Sequence, residues 1–182
     1  MYFDKPGSEN TDKTLEIAIS EAEQRGISHL VVASTTGATA KKTLKAISGT
    51  KLKLIVVTHN VGFAKEGEDK FDPKTRKKIE NAGHIVHTGT MVSRNLSKAI
   101  SQNLGGYSET ELVSATLRMF SQGIKVCVEM AAMACDAGLI PFSDVICVAG
   151  TESGADTAVI IRANSSNRFF DIKVREILCK PF

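Results

Sequence analysis

Apolar and polar positions along the chain divide it into short apolar runs separated by stretches with helical spacing. Asn10 or Thr11 opens a helix in which Leu15, Ala18, Ile19 and Ala22 recur three and four apart, and Gly26 stops it. Ile27 to Ala33 then reads as a strand covered on both faces. A helix over Ala38–Ile47 follows, ended near Gly49, and Leu52 to Thr58 is a second apolar strand. Pro73 begins a third helix that closes at Gly83, and His84 to Thr88 is a short third strand. Val92 to Leu104 reads as helical. Ser108 opens a helix to Phe120, which Gly123 interrupts or bends before it continues over Ile124–Ala137. The alanines of that last stretch favour close packing on a sheet. Val145 to Ala149 is a fourth strand, and Ala158–Ile161 and Phe169–Ile177 read as antiparallel additions with no helix between them. Strands alternating with helices predict a single α/β domain over 1–182, three-layered (α/β/α), with a mainly parallel sheet.

Composition narrows this picture a little. A chain of 182 residues with 42% apolar and 24% charged residues is ordinary for one globular domain. A net charge of +3, with dispersed lysines, gives no case for nucleic acid. No apolar run approaches the length of a membrane span, and the first residues lack the pattern of a signal peptide. Cys127, Cys135, Cys147 and Cys179 show no metal-ligand spacing and are expected as buried, reduced thiols in a cytoplasmic protein.

Candidate chemistry lies where strands end. Val31 and Val32 lead into Ser34-Thr35-Thr36-Gly37-Ala38-Thr39, a hydroxyl- and glycine-rich turn that opens a helix. The first N–H groups of a helix have no intrahelical partner and the helix dipole is positive there, so the turn can hold a phosphate. It can equally be a capped helix start with no ligand. Two more strand ends carry similar residues: Thr58-His59-Asn60, running on to Gly62, and the loop from Gly150 and Thr151 to Gly154, Ala155, Asp156 and Thr157. Ligands of open α/β sheets sit beyond such ends. Neither a dinucleotide fingerprint nor a nucleotide triphosphate loop is present.

The segment Ala33–Ala40, followed by a helix and by Leu54–Asn60, resembles the C-terminal domain of pyruvate kinase. Nearly the whole chain is similar to small stand-alone proteins of that fold, through Phe3–Gly7, Leu117–Phe120, Val128–Pro141, Gly150–Thr157 and Phe169–Asp171. The resemblance implies the pyruvate kinase C-terminal fold and bound flavin mononucleotide (FMN). The phosphate would lie on the Ser34–Thr39 loop and the ring near the Thr58 and Gly150 loops. Asp156 would then accept from a ribityl hydroxyl or ring N–H, or simply cap a turn. The barrel that carries the kinase's catalytic residues has no counterpart here, so kinase activity is not implied.

His59 could act as a ring contact or be bonded locally. Lys125, Glu129 and Asp136 share a helix face, which suits a salt bridge or an oligomer contact better than acid–base work. Arg118 is either an anion clamp or an ion-pair member. No catalytic residue and no metal site are assigned. The sequence therefore predicts binding of a phosphorylated small molecule, best FMN, with flavin-dependent oxidoreduction as the enzymatic possibility. The alternatives are a sugar-phosphate-sensing module and an oligomerisation module with Ile124–Ala137 as its interface. Partners would be a phosphorylated small molecule and further copies of the chain, with no nucleic acid and no membrane.

Overall fold

The computed structural model describes residues 1–182. Seven strands form one sheet: β1 (Tyr2–Phe3), β2 (His29–Ala33), β3 (Lys53–Val57), β4 (Ile85–His87), β5 (Asp144–Ala149), β6 (Thr157–Arg162) and β7 (Lys173–Pro181). Their order is β1-β7-β6-β5-β2-β3-β4. The four strands β5, β2, β3 and β4 are parallel, β6 runs antiparallel between β5 and β7, and β1 pairs parallel with β7 at the edge.

Alternation along the buried strands sorts their side chains into two cores. Leu30, Val32, Leu54, Val56, Ile146 and Val148 face one way, under α1 (Thr11–Arg25), α2 (Ala38–Ala46) and α3 (Pro73–Asn81). Val31, Ile55, Val57, Val145 and Cys147 face the other way, under α6 (Gln122–Asp136). The expected three-layer arrangement is thus present. Both sheet faces are covered, which is why these strands read as unbroken apolar runs.

The second face departs from expectation in three places. Helix α4 (Asn95–Leu104) begins at Asn95 rather than Val92, and Met91 and Ser93 are buried in the turn before it. Helix α5 (Glu109–Arg118) ends before α6 begins, and the two are separate. Ser121 caps α6, its Oγ accepting from the Ile124 amide at 3.0 Å. Gly123 is therefore not a bend between helices but the second residue of α6. A Cβ there would stand 2.2 Å from Oγ1 of Thr157, so the helix can meet β6 only without one. Lastly, the segment predicted as strand Phe169–Ile177 is strand only from Lys173: a 3-10 turn occupies Ser166–Asp171, and β7 runs on to Pro181.

Helix α6 buries Gly123, Ile124, Lys125 and every residue from Cys127 to Cys135 against the sheet and its neighbours. It keeps no apolar face for a second copy, which removes Ile124–Ala137 as an oligomer interface. Asp136 accepts from the Ser166 amide at 2.8 Å. No helix is long and apolar enough to cross a membrane.

Candidate functional site

Helices that follow or precede parallel strands run antiparallel to them, so α2, α3 and α6 begin at the C-terminal ends of β2, β3 and β5. Strand order reverses about β2, which has β3 on one side and β5 on the other. That is the switch point at which α/β sheets open a crevice.

The turn Ser34–Thr39 lies there. Gly37 precedes α2 with φ 101°, in the left-handed region, and its α-carbon is closed in by Thr75 and Phe71. The Ser34 hydroxyl accepts from the Ala40 amide at 3.3 Å, so one hydroxyl does cap the helix. The amides of Thr35, Thr36, Gly37, Ala38 and Thr39 donate to no group of the protein. Five consecutive free N–H groups at the positive end of α2 form a cradle for an anion. Asp72 stands beside it, donating its amide to the Thr36 carbonyl at 3.2 Å. The hydroxyl of Thr75, with lesser help from Lys41 and two amides, pulls the Asp72 carboxyl down to about 2. Lys41 lies 3.3 Å from that carboxylate and offsets its charge next to the cradle.

Ser34 and Thr35 also border a cavity of about 140 Å3 beneath the first turns of α6. Thr58 and His59 line it from the end of β3, and Val57, Met91, Met130 and Met133 give it an apolar floor. Thr58 donates to the His59 carbonyl at 2.8 Å. The His59 ring stacks on Phe63 with centroids 3.9 Å apart, and the Arg94 guanidinium lies 4.5 Å from the Phe63 centroid. Burial, then the charges of Arg94 and Lys70, lower the pKa of His59 and keep the ring neutral near pH 7. Its Nδ1 and the Oδ1 of Asn60 are buried without partners. Gly62 is further out, in an exposed turn closed by its own amide on the Glu68 carbonyl.

The Gly150 loop goes elsewhere. Asp156 is fully buried, and Oδ2 accepts from the amides of Gly7 and Thr151, each at 3.1 Å, while Oδ1 accepts from the Thr157 hydroxyl at 2.8 Å. Thr11 accepts from the Ala155 amide at 3.0 Å, and the space a Gly154 side chain would fill is taken by Ser8 and Thr11. Gly150 is held just as closely, against the Gly154 carbonyl. Gly154 admits the chain's own N-terminal segment, and Gly150 lets the loop fold back on itself. Asp156 is a turn cap, and Gly150, Thr151, Gly154 and Ala155 do not line the cavity with Thr58 and His59.

In their place the structure brings three cations. Arg94, Arg118 and Lys125 border the cavity. Lys125 and Glu129 are a buried ion pair at 2.6 Å, as their spacing suggests, and Glu129 also accepts from the amide of Ser93 at 3.0 Å and from its hydroxyl. Arg118 is in no ion pair and donates from Nε to Gln122 at 2.7 Å. Arg94 carried no sequence signal, since only folding brings the turn before α4 to the ends of β2 and β3.

The fold and this crevice define a doubly wound α/β domain with a turn of unpartnered amides at its switch point. The family description "Pyruvate kinase, alpha/beta domain" matches residues 12–161, and the chain belongs to that family. Similar solved structures include two of pyruvate kinase from Cryptosporidium parvum, one of them in complex with ADP, at 16% and 17% identity. They cover 88% and 89% of this chain and 24% and 25% of the enzyme, each with a TM-score of 0.45. The chain thus spans about a quarter of the length of the enzymes it matches.

Proposed function

We propose that the protein binds FMN, with the phosphate on the amides of Thr35–Thr39 and the ring system towards Thr58 and His59. The five unpartnered amides carry this reading, because a phosphate supplies the acceptors that they lack. The residues present suit the group. Thr35, Thr36 and Thr39 add hydroxyls around the phosphate, and the α2 dipole favours its charge, with Lys41 offsetting that of Asp72. The free Nδ1 of His59 can bond a polar edge of the ring, while Met130 and Met133 supply soft apolar contact. Bound flavin would supply electron-transfer chemistry; the chain's own part is to bind, orient and keep water from one ring face. An oxidoreductase is the enzymatic form of this proposal. Kinase activity is not part of it.

A smaller ligand is the second reading, favoured by size. The cavity at Thr58 is about 140 Å3, whereas ligand sites commonly hold roughly 300–1,000 Å3. A sugar phosphate fits that volume better, and the module would then sense it without chemistry.

Titration of FMN and of riboflavin into the protein, followed by flavin fluorescence, tests the proposal. FMN should bind about a hundredfold more tightly, the value of a phosphate held by several charge-assisted hydrogen bonds. Equal affinities, or no binding of either, would remove the flavin. A sugar phosphate that raises the melting temperature of a colourless protein would establish the second reading.

A further inference from the structure

Beside the buried Lys125–Glu129 pair, α4 (Asn95–Leu104), α5 and the start of α6 enclose a second cleft of about 520 Å3. Arg94, Lys98, Arg118 and Lys125 line it, against one acid, Glu111. Glu111 is already engaged in the capping box of α5, accepting from the Ser108 amide and the Ser101 hydroxyl, each at 3.1 Å. Of the four cations only Lys125 has an ion-pair partner. The two terminal nitrogens of Arg118 and the ammonium of Lys98 donate to nothing in the chain.

A second feature points to a ligand. Ser114 lines the same cleft at 3% exposure, and its hydroxyl is buried with no hydrogen-bond partner. Buried hydroxyls are nearly always paired, and this one, without a partner in the chain, borders a cleft ringed by cations. Leu112 and Ala115 add apolar surface at the rim.

We infer that this cleft binds the phosphate group of a small organic phosphate ester, at a site separate from the Ser34–Thr39 loop. A phosphate dianion matches the uncompensated charge of Arg94, Lys98 and Arg118, and arginine forks suit its oxygens. Ser114 donates to one oxygen, and the rim contacts the carbon skeleton. Arg94, Arg118 and Lys125 also border the cavity at Thr58, whereas Lys98 and Ser114 line this cleft and not that cavity, so the variants that test it are made at those two.

Calorimetric titration of phenyl phosphate and inorganic phosphate into the full chain tests it. Phenyl phosphate should bind more tightly than inorganic phosphate. Lys98→Ala and Ser114→Ala should each weaken it about tenfold or more, while FMN uptake stays as in the parent. Ser114→Ala should not lower the melting temperature, because it removes an unpaired buried hydroxyl, so weaker binding there is not a folding defect. Thr36→Glu, which places a carboxylate in the cradle of α2, should leave phenyl phosphate binding intact. Three outcomes would overturn the site: no binding, equal affinity for the two probes, or binding lost in Thr36→Glu but unchanged in Lys98→Ala and Ser114→Ala. Because flavin uptake is read separately, failure of the cradle and failure of the cleft are distinguishable.

Discussion

Glu129 ties three parts of the molecule together at one carboxylate. It neutralises Lys125 one turn away and holds the amide and hydroxyl of Ser93, 36 positions distant in sequence, so that Arg94 is placed at the cavity mouth. Removing one member of such a pair leaves a buried charge without compensation. Glu129→Ala should therefore lower unfolding free energy by about 3–5 kcal/mol in urea denaturation. A loss no larger than that of an exposed glutamate would contradict the pairing. The histidines act in the other direction from a salt bridge. Burial lowers the pKa of His29, His59, His84 and His87 from the ordinary 6.5. The unfolded chain thus takes up protons at higher pH than the folded one. Their contribution is complete above about pH 6.5 and is lost as pH falls through the lower folded values. The urea midpoint should fall between pH 7 and pH 5, and His59→Gln should flatten that fall.

Among the elements, α6 shows where sequence reading stops. Its apolar content and small residues announced a helix packed on a sheet, and the strands announced themselves as valine-rich runs with glycine stops. Those signals are local, and folding kept them. What Gly123 is for was not legible, because its reason is Thr157, a contact between β6 and the start of α6. Gly123→Ala should cost about 1–3 kcal/mol by overpacking, seen as a lower melting temperature. Helix propensity alone would make the same change stabilising, so the sign decides between local and tertiary control. The same limit explains the two polar loops. Ser34–Thr39 kept its free amides because nothing distant caps them. Gly150–Thr157 looked alike in residue type, yet the N-terminal segment occupies it through Gly7, Ser8 and Thr11. The cation cluster was half legible. Arg118 could be singled out from the sequence, although the ion pair expected of it did not form, whereas Arg94 needed the packing of the turn before α4.

In the whole molecule, two cores lie on either side of one sheet, and all four cysteines are buried as free thiols within or beside them. Burial raises the pKa of Cys135 to about 11 and lifts those of Cys127, Cys147 and Cys179 above their ordinary value as well. A thiol reagent should find no reactive cysteine at pH 8 in the folded protein and four after denaturation. Rapid labelling of the native state would mean that the α6 layer opens readily.

The phosphate cradle at the start of α2 is the central claim. The most direct measurement is the absorption spectrum of the protein incubated with FMN and freed of excess, for the parent chain and for Thr36→Glu. Thr36 is exposed, so the substitution changes charge at the cradle with little effect on packing. Retained flavin bands in the parent and their loss in a Thr36→Glu variant of unchanged melting temperature are the predicted result. Equal retention in both, or in neither, would contradict the placement of the phosphate on this loop.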